Sequence, residues 1–131
     1  MDILTIVIIA VVVLIISFQL YSVIKSKKSV GKAIPFEKMD QELSEKLKNK
    51  KALIYFHSPS CHNCKLLSPI IKKLKIDFAN IESVDISNDI DTARAFGIMG
   101  TPALIFIDNN FVDSVHLGIK SEEFIKAKLQ S

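Results

Sequence analysis

The chain has almost no cysteine: Cys61 and Cys64 are the only two in 131 residues. Two cysteines cannot build a framework of several structural bridges, so a small disulfide-stapled fold is excluded. Net charge is low as well. Lys25, Lys27, Lys28 and Lys32, set against Asp2, account for the whole +3. Residues 33–131 therefore balance to zero, and the basic footprint of a nucleic-acid binder is missing. No Lys or Arg precedes the first apolar run, and no small-x-small cleavage site follows it. Both absences argue against a removable signal peptide. Internal repeats and low-complexity tracts are lacking, and the length suits one domain.

What the chain does have is a long apolar run at one end. From Ile3 to Ile24 it carries no charge, and only Thr5, Ser17, Gln19 and Ser22 are clearly polar. As a helix this segment would reach roughly 33 Å at about 1.5 Å per residue, enough to cross a hydrocarbon core of about 30 Å. Tyr21 suits the interface, with its ring dry and its hydroxyl wet. The expectation is a transmembrane anchor at 1–24, a basic linker at 25–33 and a globular domain at 34–131. The lysines that follow the span favour a domain facing the cytoplasm, with the extracytoplasmic side as the alternative. They would also suit anionic headgroups.

The remainder alternates between helical and strand patterns. Met39, Leu43 and Leu47 recur at four-residue spacing within 37–50, an amphipathic helix. The run 52–56, ALIYF, is short and continuously apolar, the mark of a strand buried on both faces. A helix follows from Cys61, with Cys64, Leu67, Ile71 and Leu74 on one face and an expected kink at Pro69. Then come a strand at 81–86 and a short helix at 88–98, with Asn88 as cap and Gly97 as stop. A strand at 102–107, a turn at Asp108–Asn110 and a strand at 111–117 form a hairpin. Ser121 caps a terminal helix. This order predicts an α/β fold: a mixed sheet of about four strands with helices on both faces.

Cys61 and Cys64 lie where a buried strand hands over to a helix, the edge at which open α/β sheets carry their chemistry. Residues i and i+3 share a helix face, close enough for an S–S bond. Cys61, at the helix N-terminus, should favour thiolate and fall below the usual thiol pKa of about 8.5. Cys64, one turn further in, should be more buried. That asymmetry is what disulfide exchange needs: one sulfur attacks and the other resolves. A metal reading competes. His57, Cys61, His62 and Cys64 fall within eight residues, and thiolate with imidazole suits zinc or copper(I). A closed zinc site usually takes two separated ligand pairs, however, and a second pair is missing, so no metal ligand is assigned. Packing of two small hydrophobes is the plainest alternative.

Several pieces, in order, resemble the thioredoxin-like superfamily over residues 34–131. They are ALIYFHSPSCHNCK, Pro69 five residues after Cys64, VDIS at 84–87, FGIMGTPALIFID at 96–108, and Gly118 before the last helix. The resemblance implies a thioredoxin-like three-layer fold and a cis Thr101–Pro102 bond beside the cysteines. It also implies that Thr101 and Pro102 bind the substrate backbone. Three departures stand out. Ser60 replaces a Trp usual in thioredoxins, and His62–Asn63 replaces Gly–Pro between the cysteines. Tyr55 holds the place of a buried acid that takes the proton of the second cysteine. A charged His62 would stabilise the adjacent thiolate and make the pair more oxidising. His57 is expected to pack rather than act as a base.

These readings combine into a membrane-tethered protein-disulfide oxidoreductase. Cys61 is its nucleophile, Cys64 resolves, Thr101 and Pro102 bind substrate, and His62 and Asn63 tune the pair. Its partners are protein disulfides or dithiols, an electron-donating dithiol or reductase, and membrane lipid along residues 3–24. No cofactor is required. The alternative function is a thiol-based metal-binding or metal-transfer module on the same fold.

Overall fold

The computed structural model describes residues 1–27 and 30–131. The apolar run forms one helix, α1 (Ile3–Lys27), none of whose span from Ile3 to Ile24 is buried against the rest of the described chain. It is long and apolar enough to cross a membrane. The helix continues past Ile24 into the expected linker, while Lys28 and Ser29 of that linker lie outside the described residues.

The linker's far end does more than connect. Gly31 N–H donates to Val112 O at 2.8 Å, Val112 N–H to Lys32 O at 2.9 Å, and Ile34 N–H to Asn110 O at 2.9 Å. The chain thus enters the domain as a short extended strip bonded to an exposed sheet edge. Unpaired edge groups are a liability that proteins cover.

The helix expected over 37–50 is shorter than its periodicity suggests. A single 3₁₀ turn occupies Phe36–Lys38, and α2 runs only from Gln41 to Leu47. Asp40 divides them, because its carboxylate caps α2 by accepting from Glu42 N–H at 3.1 Å. An Asp bonded to its own following backbone competes with helix continuation.

The sheet has four strands: β1 (Ala52–His57), β2 (Ile81–Asp85), β3 (Ala103–Asp108) and β4 (Phe111–Leu117), in spatial order β2-β1-β3-β4. β1 and β2 are parallel, joined through α3 (His62–Asp77); β3 runs antiparallel to both β1 and β4. Alternate residues of the central strands feed two cores. Ile54, Phe56, Ile105 and Ile107 pack with Leu47 of α2 and with Ala93 of α4 (Ile90–Ala95) and Phe96 just past its end. Leu53, Tyr55, Leu104 and Phe106 pack with Leu67, Ile71 and Leu74 of α3 and with Ile125 and Leu129 of α5 (Glu122–Gln130). Helices on both faces explain why β1 and β3 are continuous apolar runs rather than alternating ones.

Local stops and caps follow the physics with small shifts. Asp89, not Asn88, caps α4. Its carboxylate accepts from Thr92 N–H at 3.1 Å and from the buried Thr92 hydroxyl at 2.6 Å. The helix ends where Gly97, at φ +72°, lets its own N–H reach Arg94 O and Ile98 N–H reach Ala93 O, a Schellman pair. Asp108 belongs to β3 rather than the turn. The hairpin loop is Asn109–Asn110 alone, both at positive φ, as a two-residue type I′ connection requires. Ser121 caps α5 by accepting from Phe124 N–H. Pro69 sits within α3, which runs unbroken through it.

Candidate active site

β1 ends at His57, and Ser58–Pro59–Ser60 turn the chain into α3. Cys61 N–H donates to Ser58 O at 3.2 Å, closing that turn. Cys61 is the N-cap of α3: its Sγ accepts from Cys64 N–H at 3.1 Å. A backbone N–H at a helix start has no carbonyl partner of its own, and here the sulfur is that partner. The first turn of α3 carries no acidic residue, so no charge within that turn offsets the positive end of this sixteen-residue helix.

Cys61 and Cys64 are joined as a disulfide with their Cα atoms 5.2 Å apart. Cys61 is partly exposed, whereas Cys64 is only 2% exposed and faces the α3–sheet core. His62 and Asn63 are both exposed at the helix tip. One sulfur is therefore presented to solvent, while the second is shielded behind it.

Thr101–Pro102 is a cis peptide immediately before β3. Because Phe56 pairs with Ala103 in antiparallel register, Pro102 lies at the end of the sheet where β1 delivers the Cys61 turn. Pro102 is buried and its carbonyl accepts from Gly118 N–H at 2.9 Å. Thr101 is partly exposed, and its backbone groups make no hydrogen bond among the described residues.

Beneath the cysteines lies Tyr55, 2% exposed. Its hydroxyl donates to Cys64 O at 3.2 Å and shares a 2.9 Å hydrogen bond with Ser68 Oγ. Burial pushes its phenol pKa up, opposed by the Ser68 bond. The group under Cys64 is thus a neutral hydrogen-bonding hydroxyl and not a carboxylate. Ser68 was not anticipated from sequence. Its signal was there: a buried Tyr hydroxyl needs a partner, and Ser68 sits four residues after Cys64 on the same helix face.

The folded state holds the Tyr55 proton more tightly than the unfolded chain does. Stability from this group is therefore complete below about pH 10, the unfolded value, and is lost as pH rises through the raised folded value. Denaturation of the detergent-solubilised chain across this range should show an alkaline decline that is reduced in Tyr55→Phe.

His57 packs its ring on Tyr55 at 5.2 Å between centroids, and its carbonyl accepts from Ile86 N–H. Opposite it in register, Asp85 has a carboxyl held below the usual range. The Ser87 hydroxyl and N–H that it accepts are the main cause, and His57 adds a smaller electrostatic pull. Among the described residues no three His, Cys, Asp or Glu side chains converge as a potential metal set. With Cys61 and Cys64 joined, His57, Cys61, His62 and Cys64 do not converge as one set.

A parallel-antiparallel sheet with a strand-turn-CxxC-helix junction and a cis-proline at its edge defines a dithiol–disulfide exchange domain. The Thioredoxin family profile matches residues 34–131, and the chain belongs to that family. Thioredoxin from Bacillus subtilis is 26% identical over 90 residues, covering 66% of this chain and 86% of that protein. A segment of Arabidopsis thaliana NADPH-dependent thioredoxin reductase 3 is 34% identical over 82 residues; the match covers 57% of this chain but only 16% of that enzyme's length. The crystal structure of reduced Schistosoma mansoni thioredoxin superposes with a TM-score of 0.60 at 26% identity, covering 69% of this chain and 86% of that one. The chain is accordingly a thioredoxin-type thiol–disulfide oxidoreductase.

Proposed function

We propose that this protein is a membrane-tethered oxidoreductase that exchanges disulfides with protein substrates through its Cys-His-Asn-Cys pair. The observation that carries the reading is the Cys61 cap: a partly exposed sulfur accepts a backbone N–H at an uncompensated helix start, with Cys64 sheltered behind it. That N–H and the helix dipole both favour a thiolate at Cys61 once the pair is reduced.

In the reducing direction, the Cys61 thiolate attacks one sulfur of a substrate disulfide. A mixed disulfide forms, and the first substrate thiolate leaves. Cys64 then gives up its proton and attacks Cys61. The Cys61–Cys64 bond forms, and the second substrate thiolate leaves with the electron pair. The oxidising direction is the same sequence reversed. Thr101, with its backbone unpaired among the described residues, offers the substrate strand an N–H and a carbonyl, and Pro102 fixes its position. His62 and Asn63, exposed between the sulfurs, tune the pair. With Tyr55 in place of an acid, the Cys64 proton goes to solvent or substrate rather than to a buried carboxylate. The electron donor is another dithiol or a reductase.

Residues 1–24 anchor the domain in the membrane, and the basic segment after the span favours a cytoplasmic domain. Tethering raises the effective concentration of substrates at the same bilayer. The test is exchange and topology on one preparation. Intact cells treated with a membrane-impermeant thiol reagent should leave Cys61 unlabelled until permeabilised. Membranes carrying the reduced chain should reduce insulin disulfides. Labelling without permeabilisation would overturn the cytoplasmic assignment; background-level insulin reduction would overturn the exchange reading.

A further inference from the structure

Three of the four clearly polar residues between Ile3 and Ile24 fall on one line. Thr5, Ile8, Val12, Ile15, Gln19 and Ser22 follow one another at spacings of three, four, three, four and three. That is the period of 3.5 that keeps one helix face against a parallel neighbour. Ser17 alone lies off the line. None of the span is buried by the rest of the described chain, so the apolar seam residues Ile8, Val12 and Ile15 are exposed among the described residues.

Gln19 makes the seam costly to leave bare. It lies five residues inside Ile24, about 7–8 Å along the helix axis. Its side chain leans toward the helix N-terminus, away from the nearer membrane surface and toward the bilayer centre. Ser22 meets part of its need locally by donating to Gln19 O at 3.0 Å. The Gln19 carboxamide makes no hydrogen bond among the described residues. A primary amide offers both donors and an acceptor, so its best complement at equal depth is another primary amide. A second copy inserted in the same orientation supplies one at that depth, with Ile8, Val12 and Ile15 packing alongside.

We propose that the chain self-associates as a parallel pair of membrane helices along the Thr5–Ile8–Val12–Ile15–Gln19–Ser22 seam, with the two Gln19 carboxamides hydrogen-bonded across it. The inference rests on the membrane span proposed above. It makes no use of the redox pair, which stays within each chain.

The experiment uses the full chain in membranes, with Cys61→Ser and Cys64→Ser removing the native thiols. Single cysteines are placed on the seam (Ile8→Cys, Val12→Cys, Ile15→Cys) or off it (Ala10→Cys, Val13→Cys, Ser17→Cys), and the membranes are oxidised. Seam positions should cross-link into dimers several-fold more than off-seam positions. Adding Gln19→Leu should weaken the seam cross-link roughly three- to tenfold, while Gln19→Asn retains it. Equal yields on both faces, or no effect of Gln19→Leu, would overturn the pairing. Alkaline carbonate extraction of the same membranes separates the two readings. A chain that stays in the membrane without the seam pattern defeats only the pairing; a chain that is extracted defeats both.

Discussion

Cys61→Ser is expected to reduce disulfide exchange to background, a loss on the order of a thousandfold or more. The serine hydroxyl can still cap α3, so the fold should survive. What disappears is the only partly exposed sulfur at the uncompensated helix start. Cys64→Ser should behave differently. The first attack remains, the resolving attack does not, and covalent complexes with substrate proteins should accumulate. Non-reducing electrophoresis followed by mass spectrometry of the shifted bands reads both outcomes. Equal trapping by the two variants would contradict the assigned roles, because only a buried second sulfur explains the difference.

The second large effect concerns the floor of the site. Tyr55→Ala should destabilise the domain by about 3–5 kcal/mol, as expected for deleting a large buried ring. The ring packs between β1 and α3 and stacks on His57. Its loss also leaves Cys64 O and Ser68 without the hydroxyl they share. Tyr55→Phe keeps the ring and should cost about 1–2 kcal/mol, the range for one partly buried hydrogen-bonding group. Denaturant titration of the solubilised chain measures both. If Tyr55→Phe cost as much as Tyr55→Ala, the hydroxyl bonds and not packing would dominate this floor. If both were silent, Tyr55 would have no structural part in the site.

Much of this was legible in the residues themselves. The continuous run at Ala52–Phe56 announced a strand buried on both faces, and the two cores confirm it. Cys64, Leu67, Ile71 and Leu74 announced the buried face of α3. Ser121 and Gly97 marked an end of a helix because each has one dominant local use, a cap or a left-handed stop. Where two residues compete for one job, sequence alone could not choose. Asn88 and Asp89 both suit a cap, and the buried Thr92 hydroxyl decided for Asp89. Met39 fitted a helical period, yet Asp40 took its place as a cap and shortened α2. The Tyr55–Ser68 bond joins residues thirteen apart on different elements, so its trace in the sequence was indirect: the need of a buried Tyr hydroxyl for a partner and a serine on the Cys64 face of α3. The edge strip at Gly31–Ile34 was hidden for the same reason: its partners lie on β4 and on the hairpin loop before it.

The account depends on the Cys61 sulfur being ionised where backbone N–H groups converge. A pH titration of thiolate absorbance in the reduced chain, repeated with Cys64→Ser to isolate one sulfur, measures this directly. The midpoint should lie clearly below about 8.5, the value of an unperturbed thiol. A midpoint at or above that value would contradict it.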